Sequence, residues 1–365
     1  MKKQALIGLL TLVIIVSVII TGCTKEVTST ATTTKTTTSV TTTTEQFFVW
    51  KGAVTTPAVA PPGQVFTELA KKIEEATNGR VKIEICYSSS LLTASEQLKG
   101  TAAGVADISD YWGVDTSIAT YYSLLTLPGI AWPDATKSTE ILWNLYNKYP
   151  EMVEEFSGQG VHLLYDSCWG VEGGIATTKK QIKTLEDLAG LKMGTSGATA
   201  LWYQAMGASP IFVAYEDSYM SMSSGLVDAY GANFAWMKGG GVQDLVKYVT
   251  MFGATVQQSH NAIMVCQKSW DALPADLQQK ITDLLDWYAA RRFEAENATN
   301  QTVREQVAAR GVPFYTLPEE ELARWAALSG QIHADHIAQM TATTGKTRLQ
   351  EVYEDLLSQC AAAFQ

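Results

Sequence analysis

Residues 185–236 read LEDLAGLKMGTSGATALWYQAMGASPIFVAYEDSYMSMSSGLVDAYGANFAW, and this stretch decides the fold class. Its segments alternate between short apolar runs and helical patterns, with strands at 191–193, 210–213 and 227–230 and helices at 198–206 and 217–224. Strands that alternate with helices over short, glycine-bearing connections predict a parallel α/β layer. Ligands bind such sheets at the carboxyl ends of the strands. Residues 194–197 and 231–236 are therefore the first candidates for a site.

The amino terminus predicts a secretory signal peptide over residues 1–22. Lys2 and Lys3 precede an uninterrupted run of small and apolar residues at 5–20, which is short for a membrane-spanning helix. The following Ile20-Thr21-Gly22-Cys23 resembles a bacterial lipobox and predicts lipidation of Cys23. A plain cleaved signal and an uncleaved anchor are the alternatives.

Residues 23–46 form a threonine-rich segment with very few apolar side chains. Such a segment cannot bury enough surface to offset the entropy lost on ordering. We therefore expect a flexible tether between Cys23 and the folded body.

The bulk composition predicts an acidic, globular protein. The 365 residues are 46% hydrophobic and 18% charged, which is enough for two domains with their own cores. Removal of residues 1–22 leaves 25 basic and 37 acidic residues, a net charge of −12. This charge disfavours nucleic acid and anionic membrane surfaces as partners.

The remaining cysteines are widely spaced and show no metal-binding pattern: Cys86, Cys168, Cys266 and Cys360. We interpret them as free buried thiols in preference to disulfides.

Several blocks, taken in order, carry a family resemblance. TNGRVKIEI at 77–85 and YSSSLL at 87–92 are followed by AAGVADI at 102–108 and LPGIAW at 127–132. KTLEDLAGLKM at 183–193, the Met-Gly-Ala-x-Pro block and KSWDALPADLQQKI come later. Over roughly residues 47–340 the chain resembles the extracytoplasmic solute-binding proteins of TRAP transporters, of the dicarboxylate type.

This resemblance implies a two-lobed α/β fold of the periplasmic-binding-protein kind, joined by crossings near residues 171 and 258. Lobe I would comprise 47–171 plus about 258–297, and lobe II 172–257 plus about 298–365. A long helix, predicted from Pro274 to Arg310, would run across both lobes. The lobes would close like a hinge on a small solute.

The implied function is a lipid-anchored extracytoplasmic receptor, without a cofactor, that delivers its solute to TRAP permease subunits. The alternative is a receptor for an ABC importer or a sensor system. No nucleophile elbow, phosphate loop or metalloprotease motif is present in the sequence, so we expect no enzyme activity.

The arginine that usually grips the acid in this family is missing. It would follow the lysine of the Gly-Leu-Lys block by two residues, where this chain has Gly194, and no arginine lies between 169 and 174. Arginine suits carboxylates because its planar fork donates two parallel hydrogen bonds. A neutral or cationic solute, or an acid held differently, is therefore expected.

Aromatic side chains at predicted strand ends are the leading candidates for ligand contacts: Trp50, Trp112, Trp169 and Trp236. Such a set can hold a ring or a cation, although each could equally be core packing.

Other candidates supply polar groups near the same strand ends. Glu172 could balance a positive group, and Asn233 lies where the family often places an amide. Tyr215 is a weaker candidate. Gly194 should leave open space, and the backbone N–H groups from Gly194 to Gly197, including Ser196, could hold an anion, with a plain strand-to-helix turn as the favoured alternative.

The pair His333 and His336, with Asp335 between them, has a spacing that permits metal binding. We favour a solvated helix face instead. A further helix is predicted at 242–248.

Overall fold

The computed structural model describes residues 45–113, 118–170, 173–195, 199–231, 234–253 and 259–365, and residues 45–365 form one compact unit. The predicted signal peptide, Cys23 and nearly all of the tether lie outside the described residues.

The described strands build two sheets. The strands are β1 (Phe48–Ala53), β2 (Val81–Cys86), β3 (Ile108–Tyr111), β4 (Val161–Gly170), β5 (Gly173–Thr177), β6 (Lys192–Thr195), β7 (Ser209–Phe212), β8 (Ala229–Gly231), β9 (Tyr248–Gly253), β10 (Ser259–Cys266) and β11 (Phe314–Thr316). The first sheet has the order β2-β1-β3-β10-β4, and the second has the order β11-β9-β5-β8-β6-β7. We call these sheets, with their covering helices, lobe I and lobe II. The predicted two-lobed α/β class is confirmed.

Helices cover both sheets. They are α1 (Pro61–Ala76), α2 (Gln97–Ala102), α3 (Thr120–Leu125), α4 (Ala135–Lys148), α5 (Pro150–Ser157), α6 (Thr199–Ala205), α7 (Ser218–Ser223), α8 (Phe234–Gly239), α9 (Gln267–Asp271), α10 (Ala275–Thr282), α11 (Leu285–Ala309), α12 (Glu319–Thr344) and α13 (Leu349–Ala362). Short 3₁₀ turns lie at Leu185–Leu188, Tyr215–Asp217 and Val242–Asp244. None of the described helices is both long and apolar enough to cross a membrane.

Helix α1 shows how the local sequence sets these elements. Pro61 and Pro62 occupy the first turn, where a missing N–H costs no helical hydrogen bond. Phe66, Leu69 and Ile73 recur at helical spacing and are buried against the first sheet. Asn78, with a φ of 53°, begins the turn after the helix.

Helix α11 connects the lobes. Its first half contributes Leu285 and Tyr288 to the core beneath α1, and its second half contributes Val303 and Val307 to a core of lobe II. The single helix predicted from Pro274 to Arg310 is wrong, because a turn at Asp283 and Leu284 separates α10 from α11.

Helix α12 also joins the lobes. Trp325 packs in a core of lobe II, whereas Ile337 and Met340 pack with the helices of lobe I. Two long helices therefore bridge the lobes where the sequence indicated one.

The assignment of all residues after about 298 to lobe II needs correction. Leu349, Val352 and Leu356 of α13 are buried in the lobe I cluster that contains α3, α4 and α5. The apolar face of α13 packs against helices of lobe I, so the carboxyl end of the chain belongs to lobe I.

The helix predicted at 242–248 is also wrong. Only a 3₁₀ turn at Val242–Asp244 forms, and Tyr248 already begins β9. Strand β9 pairs with β5 and β11, so sheet pairing takes precedence over the local helical pattern.

The four described cysteines are free thiols, as predicted. Cys168, Cys266 and Cys360 are buried, while Cys86 is only partly buried.

Candidate functional site

The chain crosses between the lobes at one edge of each sheet, and we call the region between these edges the junction. Carboxyl ends of strands form most of both edges. In lobe I, β1 and β3 are parallel and β10 is antiparallel to both β3 and β4, so the carboxyl ends of β1, β3 and β4 lie beside the start of β10. In lobe II, β6 and β8 are parallel and β5 is antiparallel to β8 and β9. The chain crosses between lobes after Gly170 and after Gly253, at these edges. Strand ends of both lobes therefore border the junction, where ligands bind α/β sheets.

Asp110 organises the lobe I side of the junction. Its buried carboxylate accepts hydrogen bonds from the Thr55 hydroxyl at 3.0 Å, from Trp112 Nε1 at 2.9 Å and from Gln97 Nε2. Burial raises the pKa of Asp110, and these donors partly offset the rise. The carboxylate thus fixes Trp112, which follows β3, and Gln97 from α2 in one network.

Arg292 of α11 lies at the base of the junction and is fully buried. Its guanidinium contacts Glu296 at 2.7 and 3.0 Å, and Nη1 lies 3.4 Å from Asn261 Oδ1. The guanidinium carbon lies 5.9 Å from the centre of the Trp112 ring. Burial raises the pKa of Glu296, and the adjacent guanidinium counteracts this rise.

An aromatic cluster forms the lobe II side. The ring of Trp236 lies 5.9 Å from that of Tyr215 and 4.8 Å from that of Tyr230. Burial raises the pKa of Tyr215, and the charges of Glu296 and Arg292 act on the same hydroxyl.

The lobes touch beside this cluster. A Cβ at Gly239 would overlap the Tyr215 hydroxyl and would lie 3.6 Å from Cβ of Ala60, the residue before α1. Glycine at 239 therefore lets α8 approach lobe I closely.

The expectation of open space at Gly194 is wrong. Gly194 pairs directly with Tyr230 across β6 and β8, and a Cβ there would lie 2.6 Å from Tyr230 Cδ1 and nearer still to Cε1. The Tyr230 ring covers the glycine. The arginine usual in the family could not enter without displacing that ring.

Of the other predicted ligand contacts, one lies in a core, three border the junction and four have no described side chain. Trp50 is buried in the lobe I core, in the middle of β1, because that strand extends to Ala53; its assignment to the cleft is corrected. Trp112, Tyr215 and Trp236 are partly buried and border the junction, although Trp236 lies in α8 rather than at a strand end. The remaining candidates lie outside the described residues or have undescribed side chains: Trp169, Glu172, Ser196 and Asn233.

A second polar network lies behind β10. Asp166 accepts a hydrogen bond from Tyr146 Oη at 2.7 Å, and its other oxygen lies 3.2 Å from His260 Nδ1. The Tyr122 ring lies 5.0 Å from the imidazole. These contacts hold the first residues of β10, and hence Asn261, in place.

The histidine pair of α12 is buried, so the predicted solvated face is wrong. His333 hydrogen-bonds to the Pro128 carbonyl at 2.7 Å and to Tyr353 Oη at 2.6 Å, and His336 Nε2 lies 3.2 Å from Ser123 Oγ. Both rings join α12 to lobe I. No cluster of metal-ligating side chains occurs among the described residues.

Arg292 and Glu296 are not among the candidates that the sequence pattern indicated. Their i,i+4 spacing in RRFEAE is also the ordinary pattern of an exposed helical ion pair. The signal that could have distinguished them is position, because they fall midway along the helix that crosses both lobes.

The profile of the bacterial extracellular solute-binding proteins of family 7 matches residues 52–340. The chain belongs to this family. The resemblance to TRAP-type receptors noted from the sequence is thereby confirmed, and the family description places this solute-binding protein outside the cytoplasm.

Sequence relatives are distant but cover most of this solute-binding protein. A solute-binding protein of Chromohalobacter salexigens is 22% identical over 74% of this chain and 80% of its own length. The C4-dicarboxylate-binding periplasmic protein of Rhodobacter capsulatus is 22% identical over 78% and 85%.

Solved structures share the fold. A TRAP solute-binding protein from Rhodoferax ferrireducens, in complex with copurified benzoate, superposes with a TM-score of 0.77 at 18% identity, covering 87% of this chain and 98% of the other. An extracytoplasmic solute receptor from Bordetella pertussis that binds pyroglutamic acid has a TM-score of 0.71 at 22% identity, covering 84% and 99%.

Proposed function

We propose that the protein captures a small organic solute between its lobes and delivers it to the membrane subunits of a TRAP transporter. The observation that carries this proposal is the junction itself. Strand ends of both sheets border it, the β4–β5 and β9–β10 connections and the helices α11 and α12 join the lobes there, and polar and aromatic side chains of both lobes lie beside it. Such a junction can close around a ligand by hinge motion. Family membership and the receptors of related fold support the same role.

Binding rather than catalysis is the proposed chemistry. The charged groups described at the junction already have partners, since Asp110 accepts hydrogen bonds from Thr55, Trp112 and Gln97, and Arg292 pairs with Glu296. A general base or nucleophile must instead be free to reach a reacting atom. Trp112, Tyr215 and Trp236 are the predicted ligand contacts that border the junction.

The amino-terminal segment would anchor the receptor. We propose cleavage after Gly22, lipidation of Cys23 and a tether through residue 46, on the basis of the lipobox-like sequence and the threonine-rich composition. A single lipid chain binds membranes weakly, so stable anchoring would need more than one acyl chain on Cys23.

Delivery can be tested in a bacterial host that expresses this chain with a small and a large permease subunit encoded beside it. The probe is the solute that most stabilises the purified protein in a screen of organic acids, amino acids, polyamines and aromatics. We expect uptake that requires this chain and continues when ATP is depleted but the ion gradients are held. Uptake that stops with ATP depletion under those conditions would favour an ABC importer instead.

The same host tests the anchor. The full chain should fractionate with the membrane, and the Cys23→Ser variant should lose both the membrane association and the incorporation of labelled fatty acid. An unchanged distribution of Cys23→Ser would contradict lipid anchoring.

A further inference from the structure

We infer that the junction selects a zwitterionic solute, one that carries a carboxylate and an ammonium group, through Arg292, Glu296, Asn261 and Gln97. This inference rests on the proposed receptor function and specifies its ligand class. Arg292 and Glu296 lie in helix α11. The acid-binding arginine usual in the family would instead lie in β6, at the position of Gly194.

The four side chains belong to one continuous chain of contacts. Gln97 donates to Asp110, which accepts from Trp112, and the Trp112 ring lies against the guanidinium of Arg292. Arg292 in turn contacts Asn261 and Glu296. The contacts join α2, β3, β10 and α11 into one polar network beside the junction.

The charge of this cluster opposes a net anion. Glu296 already neutralises Arg292. Asp110 is a second carboxylate nearby, since it accepts a hydrogen bond from the Trp112 indole that lies against the Arg292 guanidinium. A second carboxylate brought to Arg292 alone would meet the buried charge of Glu296 at short range, and like charges in a buried site repel strongly. A zwitterion avoids this cost because its two charges can align antiparallel to the Arg292–Glu296 pair.

Two buried polar atoms of this network lack a hydrogen-bond partner among the described residues. Asn261 is 2% exposed, and its Nδ2 donor has no hydrogen-bond partner among the described residues. Gln97 is fully buried, and its Oε1 acceptor likewise has no partner among them. Buried polar atoms normally find partners because leaving one unpaired costs about 1–3 kcal/mol.

These atoms complement a zwitterion from both ends. Asn261 Nδ2 and the Arg292 guanidinium would donate to the ligand carboxylate. Gln97 Oε1 and the Glu296 carboxylate would accept from the ligand ammonium. The amide orientation of Asn261 follows from its contact with Arg292, since only Oδ1 can accept from a guanidinium. A solute that lacks either group would leave one of the two atoms unpaired.

The test is calorimetric titration of the purified protein with matched probes. The panel contains the twenty α-amino acids, dicarboxylates, sugar acids, neutral sugars and polyamines. For each zwitterion that binds, the amine without the carboxylate and the acid without the ammonium are titrated too, such as 2-phenylethylamine and 3-phenylpropanoate for phenylalanine. We expect a zwitterion to bind tightest, at least tenfold more tightly than either analogue.

A conservative variant separates this charge mechanism from simple shape selection. Glu296→Gln leaves Arg292 without its counter-charge. The affinity for the acid analogue should therefore rise at least tenfold relative to the affinity for the zwitterion. Glu294→Gln, on the same helix and with a side chain 73% exposed, should leave that ratio unchanged. If Glu296→Gln does not fold, the ranking of ligands by the unmodified protein still decides the question.

A dicarboxylate or monocarboxylate that binds more tightly than every zwitterion would overturn the ligand class and leave the receptor function standing. An unchanged ratio in folded Glu296→Gln would overturn the role of the ion pair. The absence of binding by every class would contradict both the ligand class and the receptor function.

Discussion

Replacing Arg292 with methionine is expected to lower the free energy of unfolding by about 3–5 kcal/mol, since one partner of a buried ion pair is lost. The side chains of Arg292 and Glu296 are only 1% and 2% exposed. The variant leaves the Glu296 carboxylate and the side-chain Oδ1 of Asn261 without the guanidinium that they now share. Urea denaturation followed by tryptophan fluorescence measures the loss.

The neighbouring residue supplies the control. Arg291 on the same helix pairs with Glu68 at 2.8 Å, but both side chains remain partly exposed. Exposed pairs contribute less than about 1 kcal/mol, so Arg291→Met should lose little stability. Equal losses in Arg291→Met and Arg292→Met would show that the buried pair has no special role.

The pH dependence of Arg292→Met follows from the direction of the Glu296 pKa. Burial raises that pKa, and removal of the opposing guanidinium should raise it further. When the folded-state pKa lies above the unfolded-state pKa, the folded protein binds more protons than the unfolded chain at every pH between the two values. Stability should therefore be greatest below the unfolded pKa and fall as pH rises through the folded pKa. The double variant Arg292→Met/Glu296→Leu should lose this slope and recover most of the stability.

Gly194→Ala is expected to destabilise the protein by about 3 kcal/mol, at the upper end of the usual cost of overpacking a core. The new Cβ would overlap the Tyr230 ring, which is 3% exposed and held against Trp236. Gly194→Arg, which restores the residue usual in the family, should cost more. Combining either change with Tyr230→Ala should recover part of the loss, because the obstructing ring is gone.

Gly330 provides the matched control for Gly194. It lies on the exposed side of α12, and a Cβ there would meet nothing within 4 Å. Alanine in an open helical position is expected to stabilise by about 0.5–1 kcal/mol. A Gly194→Ala variant that melts at the same temperature as Gly330→Ala would refute the close packing of Tyr230 on β6.

The sequence was sufficient for the α/β class, because strand and helix periodicities alternate clearly over residues 185–236. It was also sufficient for the family, because several blocks occur in order over most of the chain. It could not reveal the break at Asp283, since Leu277, Ile281 and Leu285 keep one apolar stripe on both sides of the turn.

The details of the site depended on contacts between residues distant in sequence. Gly194 reads as empty space until Tyr230 is placed opposite it by the β6–β8 register. His333 and His336 read as polar positions of a surface helix until Pro128 and Ser123 are brought against them. Local periodicity contains no information about which element will cover a polar side chain.

The most direct test of capture by lobe closure is a distance measurement across the junction. Fluorophores attached at Glu84→Cys in lobe I and Met220→Cys in lobe II would report it, since these side chains are 62% and 67% exposed. Cys23 and Cys86 are replaced by serine, while the buried thiols are kept. We expect a saturable shortening of the distance whose midpoint equals the calorimetric Kd of the tightest solute. Saturable binding with an unchanged distance distribution would contradict capture by closure.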